Sequence, residues 1–197
     1  MSPNRKSQRV SVTKPYTRLP QATTLSDAAQ ERKDVFNDRD QYNIEDQPGC
    51  PTYAQFKMVE ASYLTSLTPK RQGKALISQS MFDRIWDVLT QTSGDISHET
   101  PQFRFWARRM FTIVRTDDPI LQNSGLSQGP VREVLLHDGL LVAIQEQLYE
   151  LLCHCHGYTN HGGRDKTCAL IRTNYSWVPK ELVAQFVKAC PTCILKK

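Results

Sequence analysis

Two short runs constrain this chain more than any other part of it. Residues 153–167 read CHCHGYTNHGGRDKT, and residues 190–193 read CPTC. Five of the six cysteines and three of the five histidines fall between positions 153 and 193. His156 and His161 have four residues between them, 28 residues separate His161 from Cys190, and Cys190 and Cys193 form C-x2-C. Zinc takes four imidazole or thiolate ligands in a tetrahedron. A C-x2-C turn presents two thiolates to one ion, and two histidines on a short loop supply the other half. The clustering points to a metal and not to a disulfide framework. Four protein ligands leave no open position for a substrate or an activated water, so Zn2+ is expected to be structural. Spacing alone leaves competitors. His154 and His161 have six residues between them, and Cys153 and Cys155 lie in the same run. The shorter loop favours His156. Cys168 falls inside a predicted helix and is read as a small core residue.

The segment between the two pairs must fold back on itself. In KTCALIRTNYSWVPKELVAQFVKAC the first part is predicted as a helix with Ala169, Leu170 and Tyr175 inward. Pro179 opens a second helix carrying Leu182, Val183, Phe186 and Val187. That helix delivers Cys190 at its end, where Pro191 stops it. Upstream, VLLHDGLLV is two β-prone runs around Asp138-Gly139, a strong hairpin signal. A helix is expected from about Ile144 to Cys153, with Ile144, Leu148, Leu151 and Leu152 inward. His137, in the hairpin, is read as structural or surface. A module this small has a small core, so the metal should supply much of its folding free energy.

Further upstream, AQFKMVEASYLTSL places Phe56, Val59, Tyr63, Leu64 and Leu67 at helical spacing. LTPKRQG reads as a loop. SQSMFDRIWDVLTQ gives a second helix striped by Met81, Phe82, Ile85, Trp86 and Leu89. HETPQFRFWARRMFTIV gives a third, starting at His98 or Thr100, with Phe103, Trp106, Met110 and Ile113 in period and Arg104, Arg108 and Arg109 on a basic or solvated face. The expected fold is mainly α with one β-hairpin, in four parts. Residues 1–50 form a disordered tail, rich in polar residues and charge. Residues 51–115 form a small helical region, 116–130 a linker rich in turn formers, and 131–197 a C-terminal zinc-stabilised helical domain. Chelation is expected to unfold the last part and spare the helices at 55–113. The tail carries Arg5, Lys6, Arg9, Lys14 and Arg18 first, then seven acids from Asp27 to Asp46. It is read as a solvated segment or as a basic arm for phosphate or nuclear import.

The net charge is +5 and the pI about 8.9, compatible with nucleic acid. No apolar run approaches the roughly 18 residues of a membrane span, and no apolar stretch follows the basic start to make a secretory signal. A soluble intracellular protein is the expectation. No nucleophile–base pair, phosphate loop or open metal site is visible, so an enzyme is not expected.

The run HGGRDKTCALIRTNYSWVPKELVAQFVKACPTC resembles the H2C2 zinc-binding domain of retrotransposon and retroviral integrases. His156, His161, Gly163, Lys166, Thr167, Tyr175, Trp177, Pro179, Cys190 and Cys193 stand at the positions of that family's pattern. The likeness covers about 132–197 and is similar in form to domesticated, integrase-derived proteins. FRFWARRMF with the later hairpin bears a looser likeness to the nucleolar protein 4 family. The resemblance implies zinc on His156, His161, Cys190 and Cys193. Integrases carry their catalysis in a following RNase H-like core with three magnesium-binding acids. The four residues after Cys193 hold no such core, so the resemblance implies the zinc module and not strand transfer. In integrases the module contacts DNA ends and helps assemble multimers. Seven basic and two acidic residues lie between Arg164 and Lys197. Arg164, Lys166, Arg172, Lys196 and Lys197 are therefore expected to meet phosphate. The expected partners are DNA or chromatin in the nucleus and a second copy of the chain, with neither membrane nor small-molecule substrate. The alternatives are a protein-interaction or oligomerisation module, or the N-terminal part of a retrotransposon integrase.

Overall fold

A computed structural model describes residues 44–90, 99–115 and 133–196. Most of the expected tail (1–43), the linker 116–130, His98 and Lys197 lie outside the described residues. Eight helices and a small sheet make up the rest. The first is α1, Tyr53–Thr65. It opens on a capping box: the Thr52 hydroxyl accepts from the Gln55 amide, and the Gln55 side chain returns to the Thr52 amide. Next comes α2, Pro69–Ala75, where a loop was expected. Proline at its first turn starts it, and no residue in it is buried, so no apolar period marks it in the sequence. Then α3, Gln79–Thr90, buries Phe82, Ile85 and Val88. It is followed by α4, Pro101–Met110, which is capped by the Thr100 hydroxyl.

The apolar period of α4 runs on to Ile113 in the sequence, but the helix ends at Met110. Thr112-Ile-Val-Arg instead forms β1, Thr112–Arg115. A β-branched run is better placed on a pleated surface, and here β2, Glu133–His137, offers one, pairing antiparallel with Val114 opposite Val134. The expected hairpin links β2 to β3, Leu140–Val142. Asp138 (φ 52°) and Gly139 (φ 76°) both take the left-handed conformation that a type I′ turn requires. A fourth strand, β4 at Tyr175–Ser176, joins β3 in parallel, giving the order β1-β2-β3-β4. A two-stranded hairpin alone is marginal in water. Here β1 and β4 cover both its edges.

The sheet's pleat divides its side chains between two clusters. Leu135 and Val142 pack with Ile85, Val88, Ala107 and Phe111 of the α3–α4 layer. Val134, Leu136 and Leu141 face the other way, toward Tyr175. After a 3₁₀ turn at Gln145–Gln147 come α5, Leu148–Tyr158, and α6, Arg164–Asn174. Two more helices close the chain: α7, Lys180–Ala189, and α8, Pro191–Leu195. In α6 the fully inward residues are Thr167, Cys168 and Ile171; of those expected inward, Leu170 and Tyr175 are half-buried and pack against the core, and Ala169 is exposed. The helix begins at Arg164, which fixes that face. Leu182, Val183 and Phe186 of α7 are buried as expected, and Val187 packs at the edge. Cys168 is a core residue. Among the described residues no helix is long and apolar enough to cross a membrane.

The largest cluster crosses the boundary that the linker marks in the sequence. Phe56 and Tyr63 of α1 share it with Leu152, Leu182 and Phe186, and the Phe56 and Phe186 rings stand 6.2 Å apart. Ordered chain also begins earlier than Pro51. Ile44 packs on this cluster. The Tyr149 hydroxyl donates to the Pro51 carbonyl (2.9 Å) and accepts from the Gln47 amide (3.1 Å), pinning the segment before α1.

Candidate metal centre

Helix α5 runs on past Cys153 and carries His156 in its last turn, where a loop was expected. Its end explains the H-x4-H spacing. The His161 amide donates to the His156 carbonyl (2.9 Å), and the Asn160 amide donates to Gly157 (2.8 Å). These nested bonds form a Schellman motif, with Asn160 (φ 53°) as the left-handed residue past the helix. In that motif the residue three before the cap and the second one after it come together. Here they are His156 and His161, with ring centroids 4.8 Å apart and planes at 85°. His161 itself holds φ 56°, an uncommon value for a side-chain-bearing residue.

The cysteine pair comes from another helix end. Cys190 caps α7 and is also the cap before α8, with Pro191 at its first turn. Cys193 stands three residues on, and a cap residue and the third helical position are spatial neighbours. The Cys190 sulfur lies 3.3 Å from His161 Nδ1, and the Cys193 sulfur 3.2 Å from His156 Nε2. All four ligand atoms lie within 4.8 Å of one another. Zinc bonds of about 2.0–2.1 Å to nitrogen and 2.3 Å to sulfur make a tetrahedral N–S edge of about 3.5 Å. The observed pairs sit close to that edge, and the donor set is one that zinc uses. The residues fit the metal.

Electrostatics favour the same reading. His156 is fully buried, and burial, with the nearby His161 charge second, pushes its pKa down to about 4. Burial and then Lys196 lower His161 as well. Both imidazoles are held neutral, the form that binds metal. Burial raises the Cys193 thiol, with Cys190 adding to the effect, so it is a metal ion that would draw off the proton.

A layer beyond the ligands orients them. The Thr167 hydroxyl, fully buried, donates to the Gly162 carbonyl (3.2 Å). Its proton is thus committed, so the 3.2 Å contact with His156 Nδ1 has the imidazole N–H donating. That fixes the tautomer and leaves the Nε2 lone pair facing the sulfurs, as ligating histidines generally require. On the far side, the Gly49 carbonyl accepts from Thr192 Oγ1 (2.8 Å) and lies 3.1 Å from the Cys190 sulfur. Gly49 has φ 79°, and a Cβ there would come within 3.1 Å of the Thr192 hydroxyl. Residues before α1 therefore lie over the CPTC turn. Thr167 was visible in the sequence only as part of a pattern. Nothing in the sequence linked Gly49 to residues far along the chain.

The competitors fall away by position. His154 is exposed on α5 beside Tyr158, while Cys153 and Cys155 point into the core. Cys50 lies buried over the Cys153 carbonyl. No cysteine is in a disulfide. His137 packs edge-on to Trp177 at 4.8 Å, away from the cluster. Of the residues expected to meet phosphate, Arg164, Lys166 and Arg172 are exposed on α6, and Lys196 is exposed after α8. Arg164 pairs with Asp165 at 2.9 Å. Lys196 Nζ reaches the Asn160 carbonyl at 3.4 Å.

No curated protein and no solved structure matches the chain. The family model described as the integrase zinc binding domain matches residues 145–197, which contain all four candidate ligands and leave the hairpin outside. Helix-end geometry, ligand chemistry and family pattern agree, and residues 145–197 are an integrase-type H2C2 zinc-binding domain in which His156, His161, Cys190 and Cys193 are positioned to bind the metal.

Proposed function

We propose that this domain is the non-catalytic, zinc-stabilised module of an integrase-derived protein and binds DNA or chromatin in the nucleus. The observation that carries the reading is the excess of exposed cations around the zinc fold. Lys166, Arg172, Lys180, Lys188 and Lys196 are all exposed, and neither the core nor the ligand set uses them. Only two acids share the segment, and one of them is paired with Arg164. Four protein ligands give the metal a closed shell, which suits a structural role and leaves no position for a reacting group.

The test is duplex binding against salt, with the zinc-loaded chain. Each phosphate neutralised contributes about −0.9 to the slope of log K on log salt, so roughly three to five contacts predict a slope between about −2.7 and −4.5. Lys166→Glu and Arg172→Glu should each flatten it by about one contact. A flat slope, or no duplex binding, would refute the reading. A second reading has its own support: Tyr158, Ile194 and Leu195 are 77%, 55% and 87% exposed, large apolar groups of the kind that self-association or a protein partner would cover.

A further inference from the structure

A second concave site lies away from the zinc ligands. It opens between the C-terminus of α2, the hairpin tip and the connection from α6 to α7, with a volume of about 580 Å³. That size falls in the range of roughly 300–1,000 Å³ typical of small-molecule sites. Its walls join three kinds of chemistry. Lys74 and Arg172, both exposed, bring positive charge from two different helices. Tyr175, Trp177 and His137 supply aromatic surface, and Ala75 with Leu140 supplies apolar surface. The acid at the rim, Asp138, has an 85% exposed side chain, where water screens it.

Two local features mark the site as more than a surface dent. Trp177 holds φ 64°, a left-handed value that is a genuine outlier for so bulky a residue. Backbone strain of this kind collects at ligand sites. Surroundings hold it in place: Trp106, Phe111 and His137 all contact the Trp177 ring. The second feature is His137. Among the described residues its Nδ1 is buried without a hydrogen-bond partner, and its Nε2 lies 3.6 Å from the rim carboxylate. Buried polar atoms are rarely left so.

We infer that this pocket takes a nucleoside monophosphate unit, its base against Tyr175 and Trp177 and its phosphate between Lys74 and Arg172. Two sources supply that chemistry: a free mononucleotide, or an unpaired nucleotide at the end of a DNA strand. In the second form the inference rests on the DNA-binding reading above. The aromatic wall accepts any base face, so no strong base preference is expected.

The experiment is calorimetric titration of the full zinc-loaded chain with AMP, then with duplexes bearing a one-nucleotide overhang or blunt ends. AMP should saturate with a Kd below about 1 mM. Arg172→Ala should weaken it about tenfold, the worth of one charge-assisted bond. Ala75→Phe, which fills the pocket without altering charge, should abolish it, with zinc content unchanged in both variants. An overhang duplex that outbinds the blunt one, by a margin lost in Ala75→Phe, identifies the DNA-borne nucleotide. AMP binding with no overhang preference identifies the free one. The inference is overturned if AMP does not saturate and overhang and blunt duplexes bind alike, or if AMP binding survives Ala75→Phe. Blunt-end binding that persists in that case leaves the DNA reading standing. AMP binding without any duplex binding upholds the pocket and removes the DNA reading.

Discussion

Replacing Thr167 by valine removes one hydroxyl and little volume, at a position with no solvent exposure. The hydroxyl accepts the His156 Nδ1 proton at 3.2 Å and donates to the Gly162 carbonyl at 3.2 Å. Valine takes a hydrogen-bond partner from the imidazole N–H and another from the Gly162 carbonyl. Losing a partner at a buried polar group costs about 1–3 kcal/mol. If the cost falls on the ligand orientation, zinc binding should weaken by roughly 10–100-fold, the range of losses when a partner behind a metal-bound imidazole is removed. Thr167→Ser keeps the hydroxyl and should stay within about threefold of the parent, because it loses only a methyl group. The assay is competition for zinc with a chromophoric chelator at neutral pH, on parent, valine and serine variants. Equal affinity for parent and valine variant would mean that the tautomer of His156 does not depend on Thr167. A serine variant as weak as valine would mean that packing, and not the hydroxyl, is what matters.

Elemental analysis should find one zinc per chain, lost in His156→Ala and in Cys190→Ser and retained in His154→Ala; loss with His154 instead would move the first ligand. Chelation should strip hydrogen-exchange protection from α1 together with α7, since Phe56 and Phe186 share one cluster; protection retained in α1 alone would separate the two. Phe56→Ala should cost about 3–5 kcal/mol, read from urea midpoints, because its side chain is 1% exposed. Burial holds His156 near pKa 4, below the roughly 6.5 of an unfolded histidine. Its neutral form therefore supports folding fully above pH 6.5, and that support is lost as pH falls toward 4, as the unfolded chain takes up the proton first. Urea midpoints at pH 7.5, 6 and 5 should decline in that order.

The zinc site was the most legible part of the sequence. Ligand type, the C-x2-C turn and the choice of His156 over His154 follow from spacing and family pattern, and the sulfur–nitrogen contacts of 3.2–3.3 Å bring those residues together. The hairpin was legible too, because Asp138-Gly139 is one of the few pairs that enter a type I′ turn readily. Other elements carried no such local mark. Helix α2 buries nothing, so it has no apolar stripe to betray it. The helix-to-strand change after Met110 was hidden because Ile113 sits in period with the residues before it, and only pairing with β2 decides its state. Strand β4 is two residues long and exists through its pairing with β3. The covering of the CPTC turn by Gly49 depends on residues brought together from distant parts of the chain, and no sequence window contains both.

That last contact bears on when the protein can finish folding during its own synthesis. Gly49 meets Cys190 and Thr192 across separations of 141 and 143 residues, and Tyr149 reaches back 102 to hold Gln47. The ribosome makes the covering segment first and Cys190 141 residues later. Helix α1 must therefore wait, its apolar face open, until α7 has left the exit tunnel, since chain-distant contacts form late. A nascent chain halted anywhere before Cys193 has no complete zinc site and an unpaired α1, the kind of exposed surface that chaperones engage. Metal capture has to follow synthesis of the cysteine pair, and zinc shortage in the cell would show first as newly made chains whose zinc fold never closes.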